Sequence, residues 1–461
     1  MLLKRIKNKI KRTFFKKKKK KKKMSPERKK RLTYERRVAK KYDMPLAEVE
    51  AIMVHAKEDY GISYEYFVVK DLMKNPTDEA FEGTKAFMEK RSDRYVEKLT
   101  KVTGMTEEEV IAETDRIKAT YGFSLKSYYI HQLYKLTDEE LAARKAEKEE
   151  NAKRNLELIA GETGWEAPQI KKHMKHCRLE WGIDEEHYIL FKAWQLTDEE
   201  LATYVTIKTS RELNEKYNTK TGVLKNKVTF NKVFKNYIQR KFWVNEEGAT
   251  FESFCEFTDG LDEIFCKPLD LSRGRGAERI KVQGDLRALY DELMARPQFL
   301  AEEFVKQHPK MNEVYDGSVN TIRMVNLMLD GEVLALSSFV RFGNGGVIDG
   351  LAGGGMIAAV DVNTGIVMTP ALNGKGEVVE RHPISGIPYV GFQIPRWDEV
   401  RSITERAMKR KKNLNYVGWD IAICEDKVVI IEGNATPDLG AYQCPFAPTK
   451  EGQLHLFTPY L

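Results

Sequence analysis

The chain has 461 residues, of which 42% are hydrophobic and 32% charged, enough for two or three cores and too apolar for a disordered polymer. No stretch approaches the ~20 apolar residues that cross a bilayer, and no apolar segment with a small-residue cleavage site follows the basic start. The five scattered cysteines make no paired framework, so reduced thiols in a cytoplasmic protein are expected.

The net charge of +8 is concentrated at one end. Residues 1–31 hold 18 Lys or Arg and one acid, Glu27, for +17, so the other 430 residues carry −9. Within this leader, placed at 1–33, Leu2, Leu3, Ile6, Ile10 and Phe14 recur at helical spacing among lysines and arginines. That pattern predicts a basic amphipathic helix, followed by a poly-Lys arm over Lys16–Lys23. An anionic membrane surface is the expected partner of residues 1–23. The alternatives are a solubilising tail or a nucleic-acid arm, and the apolar stripe argues against the latter.

Residues 34–210 carry a repeat of about 60 residues. Tyr60-Gly61-Ile62, Tyr121-Gly122-Phe123 and Trp181-Gly182-Ile183 mark it once per copy, and Thr77-Asp78-Glu79, Thr137-Asp138-Glu139 and Thr197-Asp198-Glu199 mark it again. The threonines predict helix N-caps, with capping boxes to Glu140 and Glu200 and a weaker cap in the first copy, where Ala80 stands. The aromatic-Gly steps predict helix ends with left-handed glycines. Val49, Ile52 and Met53, and Val110, Ile111 and Ile117, are expected to face a core of stacked helices. His173-x-x-His176-Cys177 reads as an ordinary surface cluster rather than a metal site.

From 211 to 461 the pattern turns β-rich, and five segments carry candidate chemistry. Lys227 opens a helix. Lys267-Pro268 ends a strand before a loop containing Arg273, Gly274 and Gly276, where backbone N–H groups and cations could meet phosphates. Phe299–Val305, with Glu302 and Glu303, is either an edge strand with two exposed acids or a strand presenting its backbone to an adenine edge. Arg323, on a strand face shared with Thr321, Val325 and Leu327, needs an acid or a phosphate. The glycine run 343–355 reads as a loop whose backbone can approach a ligand. Finally, Gly418-Trp419-Asp420 and Ile431-Glu432-Gly433-Asn434 form a hairpin whose oxygen ligands suit Mg²⁺.

The order of these segments resembles the ATP-grasp superfamily, and is most similar to the sugar-transfer-associated ATP-grasp proteins of capsule and cell-surface polymer loci. The resemblance covers roughly residues 213–461. It implies an α+β fold in which a C-terminal ATP-grasp domain, two α/β subdomains clamping ATP, follows an all-α repeat region. It implies that Lys227, Lys267, Arg273, Gly274 and Gly276 meet ATP phosphates, that Glu302, Glu303 and Val305 line the adenine, and that Asp420, Glu432 and Asn434 hold Mg²⁺. Arg323 and Lys267 become the catalytic candidates. Asp349-Gly350 departs from the Asp-Asn expected there. The implied activity is ligation of a small-molecule or glycan acid to an amine through an acyl phosphate, on a cell-surface polysaccharide or its precursor, at the cytoplasmic face of the membrane. The alternatives are a phosphotransferase acting on a sugar-type hydroxyl, and an adaptor whose helical repeats bind a protein partner beside a vestigial ATP site.

Overall fold

The computed structural model describes residues 26–70, 72–246, 248–269, 276–296 and 299–461. The amphipathic helix and poly-Lys arm expected over 1–23 lie outside the described residues, as do Arg273 and Gly274. Packing divides the chain into two compact units. The first runs to Tyr129 and takes in Leu133–Leu136; the second holds Ile130–Gln132 and Thr137–Leu461.

In the first unit the helix Pro26–Lys41 continues across the 33/34 boundary expected from sequence. It is followed by Leu46–Tyr60, Tyr64–Val69, Asp78–Thr103 and Glu107–Tyr121. Thr77 caps Asp78–Thr103 by accepting from Ala80 N at 3.2 Å, without a box. Thr137 and Thr197, in the second unit, form full boxes with Glu140 and Glu200. The glycines after the aromatic residues take φ of 69°, 75° and 73° at Gly61, Gly122 and Gly182, a left-handed conformation that costs glycine nothing. Val49, Ile52, Met53, Val110 and Ile117 are buried, but Ile111 is 49% exposed. Adjacent helical positions point about 100° apart, and Val110 takes the inward one.

The second unit opens with the third repeat, helices Asp138–Thr163, Ala167–Glu180 and Glu185–Leu190. Its Ile170, Cys177, Tyr188, Phe191 and Trp194 share a core with Leu372, Cys444 and Ala447 from the C-terminal part of the chain. Two antiparallel sheets follow. The smaller contains β1 (Phe242–Val244), β2 (Glu263–Pro268), β3 (Glu278–Lys281) and β4 (Phe299–Glu303) in the order β1-β4-β2-β3. The helices Phe251–Thr258 and Leu286–Met294 cover one of its faces.

The larger sheet contains β5 (Ile322–Leu329), β6 (Glu332–Phe342), β7 (Met356–Val360), β8 (Ala371–Asn373), β9 (Val378–Val379), β10 (Tyr416–Ile423) and β11 (Val428–Asn434). Its order is β11-β10-β5-β6-β7-β8-β9. One face is mainly apolar: Ile322, Met324, Val417, Trp419, Ile421 and Ile430 pack on the helix Trp397–Arg410 and on Phe230, Phe234 and Ile238. The other face is divided. Val325, Leu327, Phe339 and Tyr416 pack with Leu213, Leu439 and Tyr442 at one end of the strands, and charged side chains occupy the other end. All five cysteines are free.

Candidate nucleotide and metal site

The site begins with a register shift. On β10 and β11, Ile421 pairs Ile430 and Asp420 pairs Glu432, so Ile431 is an extra residue without a partner on β10. Such a bulge reverses the alternation of side chains past it. Ile430 therefore enters the apolar core, whereas Glu432 and Asn434, the same parity along the strand, stand on the opposite face beside Asp420 and Gly418. Trp419 and Gly433 take the core face, and the glycine leaves room for the indole: a Cβ at Gly433 would lie 3.0 Å from the Trp419 ring. Gly418 has a similar reason, since its Cβ would lie 2.6 Å from Pro437 Cβ and 3.2 Å from Arg323 Cδ.

Asp420 is buried and faces Arg323 directly across β10 and β5. The guanidinium grips it with two bonds, Nε to Oδ1 and Nη2 to Oδ2, the latter at 2.8 Å. Arg341, from β6, adds a third contact, Nη2 to Oδ2 at 3.2 Å. Burial opposes ionisation of Asp420, but the two guanidinium groups outweigh it and hold the carboxyl well below the usual range. Glu432 is opposite in sign: burial first, then the Asp420 carboxylate beside it, raises its pKa. Asn434 Nδ2 donates to Glu432 Oε1 at 3.2 Å.

The glycine run is tied to this corner. Thr321 N donates to Asp349 Oδ2 at 3.0 Å, and Arg341 Nε approaches the same oxygen at 3.5 Å. Asp349, the conforming member of the Asp349-Gly350 pair whose Gly350 stands where Asn was expected, is thus a brace between β5 and the loop. Asn320 is buried and donates to Met311 O at 3.0 Å and Tyr315 O at 2.8 Å, while its Oδ1 accepts from Gly343 N at 3.0 Å. His382 is also buried and lies 2.8 Å through Nε2 from Gly343 O. Both ends of the bonding set converge on the first residue of the run, so the loop springs from a fixed point.

A second charged cluster lies on the small sheet. Glu302 is not an exposed acid on an edge strand: β4 sits between β1 and β2, and Glu302 is only 2% exposed. Its Oε2 pairs with Lys267 Nζ, and its Oε1 takes Arg240 Nη2 at 2.7 Å and Asn231 Nδ2 at 2.7 Å. Burial alone would raise Glu302, but Arg240 and then Lys267 hold it down to about 2. A neutralised, hydrogen-bonded carboxylate is the only kind that persists at such depth.

Of the remaining expected residues, Glu303 and Val305 line a cleft, and Lys227 lies at the end of β2. Lys227 follows its Asn226 cap and donates through Nζ to Pro268 O at 3.0 Å and Leu269 O at 3.1 Å, just past Lys267. Gly276, with φ of 67°, opens the described chain on the far side of the glycine loop. Glu303 and Val305 line a cleft of about 240 Å³ together with Arg240, Cys424 and Val429. Val305 also joins Val319 and Ile431 around buried Ala422, Cys424 and Val429, which makes an apolar floor. The His173, His176 and Cys177 cluster stays apart: His173 Nδ1 meets the Tyr188 hydroxyl at 2.8 Å and His176 meets Asp198 at 3.4 Å.

Sequence reasoning missed Arg240 and Asn231, which carry no motif, gave Asn320 no role of its own within the segment Ser318–Arg323, and treated Arg341 only as the start of a glycine run. A signal for Arg341 existed: it is two residues past buried Phe339, on the face that Arg323 shares.

A divalent cation fits the hairpin. Two carboxylates in contact, with Glu432 pushed toward its protonated form by Asp420, favour either a shared proton or a cation between them. Among the described residues no group of three His, Cys, Asp or Glu side chains could hold a metal. The hairpin offers two carboxylates and one amide, which suits Mg²⁺, since that ion keeps waters and substrate phosphates rather than an all-protein cage.

Two antiparallel sheets, the small one carrying Lys267 and Glu302 and the large one carrying Asp420 and Glu432 beside Arg323 and Arg341, make this an α+β protein of the ATP-grasp class. The profile of the sugar-transfer-associated ATP-grasp family matches residues 208–455, more than half of the chain. The chain belongs to that family. Similar solved structures include L-amino acid ligase from Bacillus licheniformis, at 12% identity over 46% of this chain and 40% of that one, with a TM-score of 0.27. D-alanine–D-alanine ligase from Bacillus anthracis is 12% identical over 52% and 67%, with a TM-score of 0.30. N5-carboxyaminoimidazole synthase from Aspergillus clavatus is 12% identical over 46% and 44%, with a TM-score of 0.29. The chain thus spans less than half the length of the first and third of these proteins. No curated protein matches the chain.

Proposed function

We propose that the protein is a Mg-ATP-dependent ligase that joins an acid to an amine. The observation that carries this reading is the Asp420–Glu432 carboxylate pair, raised from an apolar sheet by a bulge and flanked by Asn434, Arg323 and Arg341. Glu432 and Asn434, together with Asp420 whose two oxygens are shared with Arg323 and Arg341, would hold Mg²⁺, which when bound supplies charge neutralisation to the ATP phosphates. Glu303 and Val305 offer backbone groups to the adenine over the floor of Ala422, Cys424 and Val429. Lys227 and Lys267 stand at the end of β2, where the phosphates would run.

In the reaction, a carboxylate oxygen of the acid attacks the γ-phosphorus and ADP leaves with the electrons of the broken P–O bond. The amine nitrogen then attacks the acyl carbon, inorganic phosphate leaves, and the nitrogen loses a proton. Arg323 and Arg341 supply fixed positive charge near the transferred group, and the glycines of the anchored run 343–355 let its backbone approach that group closely. No nucleophilic Ser or Cys is required.

The family and the basic leader support a finer reading. The acid or the amine belongs to a cell-surface polysaccharide or its precursor, and residues 1–23 hold the enzyme at an anionic membrane surface. No helix among the described residues is long and apolar enough to cross a membrane.

Thermal stabilisation by Mg-ATP tests the core of the proposal. A ligand at ~100 times its Kd adds ~2.7 kcal/mol to the native state, a shift of several degrees. Wild type should shift and Glu432→Gln should not; a wild type unmoved by millimolar Mg-ATP would overturn the reading. Amide formation with release of ADP and phosphate supports ligation, whereas a phosphorylated hydroxyl product would make the enzyme a phosphotransferase.

A further inference from the structure

Arg240 precedes β1 and is itself neither a phosphate nor a metal ligand candidate, yet it bonds Glu302 beside Lys267 and the backbone of the strand that carries Glu432 and Asn434. Its side chain is 4% exposed. Nη2 and Nε bond Glu302 Oε1 at 2.7 and 3.1 Å. On its other side, Nη1 donates to Ile430 O at 2.8 Å and Nη2 to Ile431 O at 3.3 Å. Those two carbonyls are consecutive, and in a regular strand they would point to opposite edges. One guanidinium can take both only because Ile431 is the bulge residue. β11 is also the outermost strand of its sheet, so no neighbouring strand claims its outward carbonyls.

Glu302 in turn spends its second oxygen on Lys267. One unbroken chain of contacts therefore runs from the phosphate-side lysine through Glu302 and Arg240 to the bulge, and the bulge is immediately followed by Glu432. It crosses from the small sheet to the large one.

We propose that Arg240 is a positioning residue for the metal site: it pins the Ile430–Ile431 bulge, and so fixes where Glu432 and Asn434 stand relative to Lys267. This inference rests on the Mg-ATP reading of the site. A planar guanidinium is suited to the task, since it can bond a carboxylate and two carbonyls at once, which a lysine ammonium cannot do in the same geometry.

The test uses the full chain and measures the affinity for ATP twice, with Mg²⁺ and with EDTA, in wild type, Arg240→Met, Arg240→Lys and Glu432→Gln. The quantity read is the gain in ATP affinity that Mg²⁺ brings. Removing a group that orients a metal ligand typically weakens metal binding by roughly 10- to 100-fold. Arg240→Met should therefore lose most of the Mg²⁺-dependent gain, as Glu432→Gln should, and by a larger factor than any loss of metal-free ATP affinity that follows from its place in the cleft lining. Arg240→Lys should fall between, because it keeps the charge opposite Glu302 but reaches one carbonyl. A general loss of packing would lower both affinities together and would not change their ratio.

If Arg240→Met does not fold, Arg240→Lys decides alone: a wild-type Mg²⁺ gain in that variant overturns the proposal. A wild type that binds ATP with a Mg²⁺ gain, beside Arg240 variants with the same gain, overturns it too while leaving the ATP site intact. A wild type that binds no ATP removes the site and this inference together.

Discussion

Asp420 and Glu432 are direct cross-strand neighbours, yet one is locked as an anion by two arginines and the other is pushed toward its neutral form. The difference follows from what faces each oxygen: Asp420 is buried against two guanidinium groups, and Glu432, half-buried, faces Asp420. It also separates their mutational behaviour. Asp420→Asn leaves Arg323 and Arg341 without their shared counter-ion, and breaking a buried pair in this way costs roughly 3–5 kcal/mol. Glu432→Gln removes a repelling carboxylate, so the ligand-free protein should be as stable as wild type or slightly more so. Urea unfolding of the two variants without nucleotide tests this, and equal destabilisation of both would contradict the assignment of distinct roles.

The Gly-Trp-Asp segment has a steric reason for its first residue. Gly418 lies under Pro437 and Arg323, and an added methyl would come within 2.6 Å of the proline Cβ. Gly418→Ala should cost about 1–3 kcal/mol, the usual range for overpacking. Because the displaced neighbour on the other side is Arg323, the Mg-ATP thermal shift should shrink as well. A variant with normal nucleotide response and normal melting temperature would show that the loop after Asn434 gives way freely.

Much of this site was legible because period-two reasoning puts Asp420 in one strand and Glu432 with Asn434 on one face of another. The same reasoning, carried back one step, would have put Ile430 on that face too. The bulge at Ile431 separates them, and nothing local announces it: the residue is an isoleucine, not a glycine. The edge-strand alternative for Glu302, an exposed acid, fails for a related cause. Whether a strand is central or at an edge depends on pairing between distant segments, here β1 with β4 and β2 with β4, and no window of sequence contains both partners. The helical repeat was more legible because its caps are local, Thr137 with Glu140 and Thr197 with Glu200.

Glu302 also makes a prediction about acid stability. Its carboxyl titrates near 2 in the folded protein against an ordinary 4.5, held down by Arg240 and Lys267 with help from Asn231. A depressed folded-state value means that stability from this group is complete above the unfolded value and is lost as pH falls toward the folded one. The contribution at neutral pH is on the order of 3 kcal/mol. Glu302→Gln should therefore be less stable than wild type at pH 7, with the gap narrowing as the pH drops through that window. Chemical unfolding at several pH values reads the gap directly, and a gap that stays constant with pH would mean that the carboxylate charge contributes nothing.

The last prediction concerns where the catalytic half can be cut. The sequence suggested a boundary near residue 211, but the third repeat shares its core with Leu372, Cys444 and Ala447 through Tyr188, Phe191 and Trp194. Close backbone approaches reinforce that packing: a Cβ at Gly376 would lie 3.4 Å from Leu190 Cα, and one at Gly440 would overlap the His187 ring. A fragment beginning at 211 would expose this apolar surface, and surfaces of that kind drive aggregation. A fragment beginning at Thr137 keeps the surface covered and retains the cap that starts the helix Asp138–Thr163. We expect the longer fragment to be monodisperse, to unfold cooperatively and to show the Mg-ATP shift, and the shorter one to aggregate or melt well below it. If the 211–461 fragment proved equally stable and equally responsive to Mg-ATP, the third repeat would be dispensable to the catalytic half, and its shared core would contribute little to the fold that holds the site.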